Sequence, residues 1–309
     1  MRIAVLAGGT GGAKLAAGLQ ALVGSDLSVV ANTGDDTEAL GVHVSPDPDL
    51  ITYWLSGEID EERGWGIRDD TFTVFGRLTD LGEADWLQLS DRDLATCLRR
   101  RHLLDEGVRP TDAQAGIASA LGVAARVLPM SDQPVRTRVR TPSGWRGLQE
   151  YLVLERAGPP IEAVEFEGAE RSAPTPEVTD ALAGAEAIVI GPSNPVISIG
   201  AILAVPGLRE AIAASPAPVV AVSPFVGGRA IKGPTEKFMQ AIGQQPSAAG
   251  VASAYSGLLD GLVVDAGDPE RPPETPPSLA IPTLMDDPDA RREVAERTLE
   301  FAATLARTG

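Results

Sequence analysis

The chain of 309 residues holds one cysteine, Cys97, and two histidines, His43 and His102. An internal disulfide is therefore excluded, and a tetrahedral zinc site of the usual nitrogen and sulfur ligands is hard to assemble. A metal, if used, is expected to be a hard cation held by carboxylates. Long apolar runs are also missing. None nears the ~20 residues needed to span a bilayer, and the opening MRIAVLAGG is too short, and too soon broken by glycine, for a signal peptide. A cytoplasmic protein with no membrane partner is the expectation. Positive charge is scarce, with 26 Lys and Arg against 43 Asp and Glu and a net charge of −17. That balance repels a polyanionic backbone and argues against nucleic acid as a partner. What is present is ordinary for a globular chain, 43% hydrophobic and 22% charged, enough for one large α/β unit or two modest ones.

Short apolar runs rich in valine and isoleucine mark the core. Arg2 to Ala7 and Leu27 to Ala31 flank a helical stretch from about Ala13 to Leu22. Later runs of the same kind lie at Ala187 to Ile190, Pro218 to Val222, Gly261 to Val264 and Ile281 to Leu284. Such runs suit strands buried on both faces of a parallel sheet. Between residues 49 and 185 the pattern changes. Asp91 to Leu104 and Thr111 to Leu121 read as helices, whereas Val135 to Arg140, Gln149 to Leu154 and Ile161 to Phe166 alternate like exposed antiparallel strands. The expected organisation is an α/β core of residues 1–48 and 186–309 with an inserted subdomain at 49–185. Pro269 to Pro277 reads as a loop and Pro288 to Ala306 as a terminal helix.

Four glycines among Gly8, Gly9, Thr10, Gly11 and Gly12 follow the first strand, with Lys14 just beyond. Backbone amides without an obstructing Cβ, ahead of a helix, form a natural phosphate site, although a tight turn needing small residues has the same appearance. No GK[ST] closes a Walker A loop, and Lys14 stands where the dinucleotide pattern needs its third glycine. The second strand ends in Asn32, Thr33, Gly34, Asp35 and Asp36, and Ser45, Pro46, Asp47, Pro48 and Asp49 follow. Asp35 and Asp49 are expected to hold Mg²⁺ and to act at the reacting centre. Asp36 and Asp47 fit a site or a cap equally well.

Loops after later strands carry Ser193 and Asn194, whose side chains suit polar oxygens or ring nitrogens, and a lone cation, Lys232. No G-x-S-x-G elbow accompanies Ser193 or Ser223, which argues against a serine nucleophile. Within the insertion, Trp65 and Arg68 could stack on a planar heterocycle, while Trp65 serves core packing equally well. Asp91 belongs first to a helix cap.

In order along nearly the whole chain, GGTGGAKL at 8–15, NTGDD at 32–36, SPDPD at 45–49, RGWG at 63–66, SDRDLAT at 90–96, LPMSD at 128–132, GPSNPVISIG at 191–200, and SPFVGG with KGP at 223–234 closely resemble the 2-phospho-L-lactate transferase (CofD) family. The resemblance implies a Rossmann-like, mostly parallel sheet with helices on both faces, Mg²⁺ dependence and a homodimer. It further implies transfer of a phospholactyl or phosphoenolpyruvyl group from a guanosine diphosphate-linked donor to the ribityl hydroxyl of the 8-hydroxy-5-deazaflavin Fo. GMP is released, in coenzyme F420 biosynthesis. Gly9, Thr10, Gly11, Gly12, Lys14, Asn32, Asp36, Trp65, Arg68, Asp91, Ser193 and Asn194 are the expected substrate contacts. SPDPD departs from the family's SPDLD, and Cys97 stands where a histidine is common. A CofD-like nucleotide-sugar-binding regulator of the gluconeogenesis-factor type is the alternative; its glycine loop reads more like GGGTG and its acidic loop more like NTVADDGG. An NAD-dependent oxidoreductase ranks last, since the third glycine is absent.

Overall fold

A computed structural model describes residues 1–305. The chain opens with β1 (Ile3–Ala7), α1 (Gly9–Val23), β2 (Leu27–Ala31), the small hairpin β3 (Thr37–Ala39) and β4 (Val42–Val44), and α2 (Pro46–Ser56). Next come α3 (Thr73–Asp80), α4 (Asp91–Asp105), α5 (Pro110–Ala120), β5 (Arg126–Pro129), β6 (Arg136–Thr141), β7 (Gly144–Gly147), a π-helical turn at Glu150–Leu154 and β8 (Ala163–Glu167). The remainder is α6 (Pro176–Ala183), β9 (Ala187–Ile190), α7 (Ile199–Leu203), α8 (Leu208–Ala214), β10 (Val219–Val222), the short pair β11 (Phe225–Val226) and β12 (Arg229–Ala230), α9 (Thr235–Ala241), α10 (Ala248–Ala254), β13 (Gly261–Asp265), β14 (Ser278–Ile281) and α11 (Pro288–Thr304).

Seven strands form one sheet in the order β14-β13-β10-β9-β1-β2-β5, every neighbouring pair parallel. Alternation along each strand divides the core. Ile3, Val5 and Ala7 face a cluster closed by α1, α2 and α11, whereas Ala4 and Leu6 face one closed by α6 to α10. Both faces are therefore dry, which is why these strands read as unbroken apolar runs. Burying branched side chains on each face stabilises by roughly 25 cal/mol per Å² of apolar surface removed from water. The expected α/β architecture with helices on both faces is present, and small antiparallel sheets, β7-β6-β8 and β3-β4, accompany it.

Three details differ from the sequence reading. β5, inside the 49–185 stretch, pairs with β2 and completes the main sheet, so that stretch is not spatially separate from it. Gln149 to Leu154 is helical, closed by the Glu155 N–H donating to the Glu150 carbonyl at 2.9 Å. The period-two alternation there was too short to exclude a single helical turn. The last strand sits at Ser278–Ile281 rather than Ile281 to Leu284. The terminal helix is as expected through Thr304, and Ala306 lies outside the described residues.

Candidate functional site

Numbered by chain order, the seven sheet strands run 3-2-1-4-5-6-7 from the β5 edge, so the connections diverge between β1 and β9. The crevice beyond the carboxyl ends of those two strands is where such a sheet places its ligand. Gly8 to Gly12 leave β1 there, and Gly191 to Ser198 leave β9.

The glycines do not form a loop. Gly8 is extended, and Gly9 already opens α1, four residues earlier than the periodicity suggests. Close packing explains the composition: a Cβ on Gly11 would overlap the Pro192 carbonyl oxygen, and one on Gly12 would overlap Ser193 Oγ and press on Ala7 Cβ at 2.9 Å. Ser193 is itself engaged, accepting the Gly8 N–H at 3.1 Å. Gly9 is the exception, with φ of 62° and open space where a Cβ would stand. Gly12 and Ser193 are thus a packing pair, while the Thr10 and Gly11 amides lie in a first turn that has no carbonyl partners within the helix.

Asp47, in the first turn of α2, ties the exits of β1 and β2 together. Its Oδ1 accepts the Gly9 N–H at 2.6 Å and its Oδ2 accepts Asn32 Nδ2 at 2.8 Å. Asn32 Oδ1 in turn accepts the Gly34 N–H at 2.8 Å, which fixes the turn carrying Asp35. Asp35 is buried; its Oδ2 accepts Gln149 Nε2 at 3.3 Å, and its Oδ1 has no partner. Burial, then the charges of Asp47 and Asp36, push the Asp35 pKa well above the carboxylate range. Burial raises Asp47 to about 6, against the opposing hydrogen bonds from Asn32 and Gly9. Carboxylates that repel one another, one with a buried unpartnered oxygen, fit a divalent cation.

Asp49 is differently placed. Both of its oxygens are held by the Arg100 guanidinium, with Nη1 to Oδ2 at 2.9 Å, and Arg100 also reaches Gln114. The structure therefore brings Asp35 together with Asp47, while Asp49 anchors α2 to α4. Asp36 accepts Ser45 Oγ at 2.7 Å and pairs with His43 Nε2 at 3.0 Å. Burial would lower the His43 pKa, but Asp36 and Glu38 outweigh it and raise it.

Two cavities meet at this point. One, of about 690 Å³, is lined by Gly9, Thr10, Asn32, Asp35, Asn194 and Lys232, with Asp47, Trp65 and Arg156 on its shared side. The other, of about 640 Å³, is richer in aromatic side chains, with Tyr53, Trp86, Leu50, Leu89 and Val153 on its walls beside Asp49, Asp85 and Asp93, and the same Asp47, Trp65 and Arg156. Trp65 is 40% exposed, edge-on to Phe72 and stacked by Arg63 with 5.0 Å to the ring centroid. It packs and lines both cavities at once. Asn194 shapes its own turn, accepting the Val196 and Ile197 N–H groups at 2.9 and 3.2 Å, and still faces the larger cavity. Lys14 and Gly11 line a neighbouring cleft of about 120 Å³ with Thr10 and Lys232.

Arg68 and Asp91 line neither cavity. Arg68 Nη2 donates to the Gly57 carbonyl at 3.2 Å, and the Asp91 carboxylate caps the start of α3 through the Thr73 and Val74 N–H groups. Gln149 carried no sequence signal because it falls in the segment that reads as a strand, and Arg156, just beyond that segment, belongs to none of the motifs. Asp47 was visible in SPDPD, but an aspartate after Ser-Pro reads equally as a helix cap.

A doubly wound parallel sheet with carboxylates and free helix amides at its switch point defines an α/β enzyme that handles a phosphate-bearing ligand. Residues 3–287 match the family described as 2-phospho-L-lactate transferase CofD. The chain is 42% identical over 313 residues to a phosphoenolpyruvate transferase of Streptomyces griseus, covering 98% of each chain. It is 39% identical over 265 residues to a 2-phospho-L-lactate transferase of Methanosarcina mazei, covering 85% of this chain and 87% of that one. In fold it resembles the crystal structure of a UPF0052 family protein from Bacillus halodurans, with a TM-score of 0.65 at 18% identity, over 96% of this chain and 98% of that one. The chain belongs to the CofD family. It is a CofD-type transferase of F420 biosynthesis, of the phospholactyl or phosphoenolpyruvyl kind. Among the described residues, no helix is long and apolar enough to cross a membrane.

Proposed function

We propose that the larger cavity takes the guanosine diphosphate-linked donor, that the aromatic-lined one takes the deazaflavin Fo, and that the phosphoryl group passes between them beside Asp35 and Asp47. The observation that carries this reading is the sharing of Asp47, Trp65 and Arg156 by both cavities. The Thr10 amide and Lys232, which border both the larger cavity and the neighbouring cleft lined by Gly11, face the donor's phosphates, where a helix N-terminus and an ammonium favour negative charge. Trp65 and Trp86 offer flat apolar surface to a planar tricycle. Asp35, with its buried unpartnered oxygen, would hold Mg²⁺, which when bound supplies neutralisation of charge on the phosphoryl oxygens.

The chain's own part is positioning and proton transfer. The ribityl hydroxyl oxygen forms the new bond to phosphorus, the bond from that phosphorus to the bridging oxygen breaks, and GMP leaves with the bonding pair. Asp47, titrating at about 6, is matched to accept the hydroxyl proton near neutral pH. Asn32 and the Gly9 N–H hold its carboxylate in place for that. The test is incubation with Fo and each donor in turn, following GMP by chromatography. GMP release that requires Fo supports the reading and identifies the acid; release without Fo, or none with either donor, overturns it.

A further inference from the structure

Where the two cavities join, one guanidinium has no partner in the protein. Arg156 lines both cavities and, among the described residues, makes no hydrogen bond or ion pair through its side chain. Neighbouring cations are engaged or lie elsewhere. Arg63 pairs with Asp60 at 2.6 Å and Lys14 with Asp286 at 3.6 Å. Lys237 Nζ donates to the Ala157 and Gly158 carbonyls at 2.6 and 2.9 Å. Lys232 borders the larger cavity but not the aromatic-lined one.

The backbone presenting Arg156 is held in a sparsely populated conformation. Arg156 and Ala157 have φ of 51° and 50°, in the left-handed region that residues other than glycine avoid, and they follow Glu155, the residue that closes the π-helical turn. Both features concentrate at functional sites. The two Lys237 contacts fix this turn, together with the Tyr151 hydroxyl, which donates to the Pro159 carbonyl at 2.9 Å. Glu155, the residue before it, pairs with Arg146 through Oε1 at 2.6 Å and makes no ion pair with Arg156.

The phospholactyl and phosphoenolpyruvyl groups share one feature beyond the phosphoryl itself, a carboxylate on the carbon that bears the ester oxygen. That carboxylate travels with the group, so it lies at the junction both before and after transfer. A planar guanidinium is the side chain that binds a carboxylate through two parallel hydrogen bonds. We propose that Arg156 binds the carboxylate of the transferred acid and so selects donors that carry one. This rests on the two-cavity reading above.

Calorimetry of the donor, and of GDP, which lacks the carboxylate, separates the possibilities for the parent protein, Arg156→Gln and Arg156→Lys. Arg156→Gln should weaken donor binding by about 10- to 100-fold, the range for a lost charge-assisted pair, and leave GDP binding within about twofold. Arg156→Lys should recover part of the loss, because it keeps the charge and loses the fork. Equal weakening of donor and GDP would place Arg156 on the phosphates and overturn the proposal, as would unchanged donor binding in Arg156→Gln. Donor binding needs no turnover. A parent protein that binds donor more tightly than GDP yet releases no GMP with Fo would therefore count against the proposed reaction and not against the carboxylate contact.

Discussion

Asp47 and Asp35 share a wall but differ in what surrounds them, and that difference sets separate expectations. Asp47 has both oxygens hydrogen-bonded and titrates at about 6, whereas Asp35 keeps one buried oxygen unpartnered. Asp47→Asn should lower turnover by about 10² or more through loss of the proton acceptor, and added Mg²⁺ should not restore it. Asp35→Asn should lower turnover similarly but also weaken Mg²⁺ activation, read as a higher metal concentration for half-maximal rate. Wild-type turnover in either variant would contradict the assignment. Trp65, a residue that packs on Phe72 and borders both cavities, should on replacement by alanine weaken Fo binding by about tenfold; Fo fluorescence measures this directly. Asp35, Asn32, Gly9, Thr10 and Asn194 were legible in the sequence as strand-end residues. Asp49 was legible only as a carboxylate, because the partner that claims it, Arg100, lies 51 residues away.

At the scale of elements, the first turn of α1 packs on the loop that leaves β9, and the Asp49–Arg100 pair ties α2 to α4. The glycines before Ala13 looked like a phosphate loop, yet two of them are small because Pro192 and Ser193 sit against them. Composition shows that something approaches closely, but not whether it is a ligand or another loop. Gly12→Ala should therefore destabilise the fold by about 1–3 kcal/mol through overpacking, so it tests packing rather than nucleotide approach. Gly9 is the better probe, since a Cβ there meets no protein atom although its positive φ would be strained. The buried Asp49–Arg100 pair gives a second expectation: Arg100→Met leaves a buried carboxylate unpaired and should cost about 3–5 kcal/mol. The double variant Arg100→Met with Asp49→Leu should recover much of that in thermal melts. Equal melting of single and double variants would show that the pair does not hold α2.

The sheet was legible from its apolar runs, since strands dry on both faces need no alternation to be recognised. β5 was not, because its short run, Arg126–Pro129, begins with an exposed arginine at the sheet edge. Dry packing around ionisable groups also gives the whole molecule a pH dependence. Asp93 is raised to about 7, first by burial and then by the Asp49 charge. Its folded value lies above the ordinary 3.8, so its contribution to stability is complete below about 3.8 and lost as pH rises through about 7. Asp35 and Asp47 shift the same way. The melting temperature should therefore fall between about pH 4 and 7, and Asp93→Asn should flatten that slope; an unchanged slope would remove Asp93 from the account. The most direct measurement is a crystal structure with Fo and GDP bound together. The deazaflavin ring should lie in the aromatic-lined cavity against Trp65 and Trp86, and the diphosphate at Thr10 and Gly11, with the ribityl chain turned toward Asp47. A ring bound in the larger cavity, or a diphosphate away from the first turn of α1, would contradict the two-cavity arrangement.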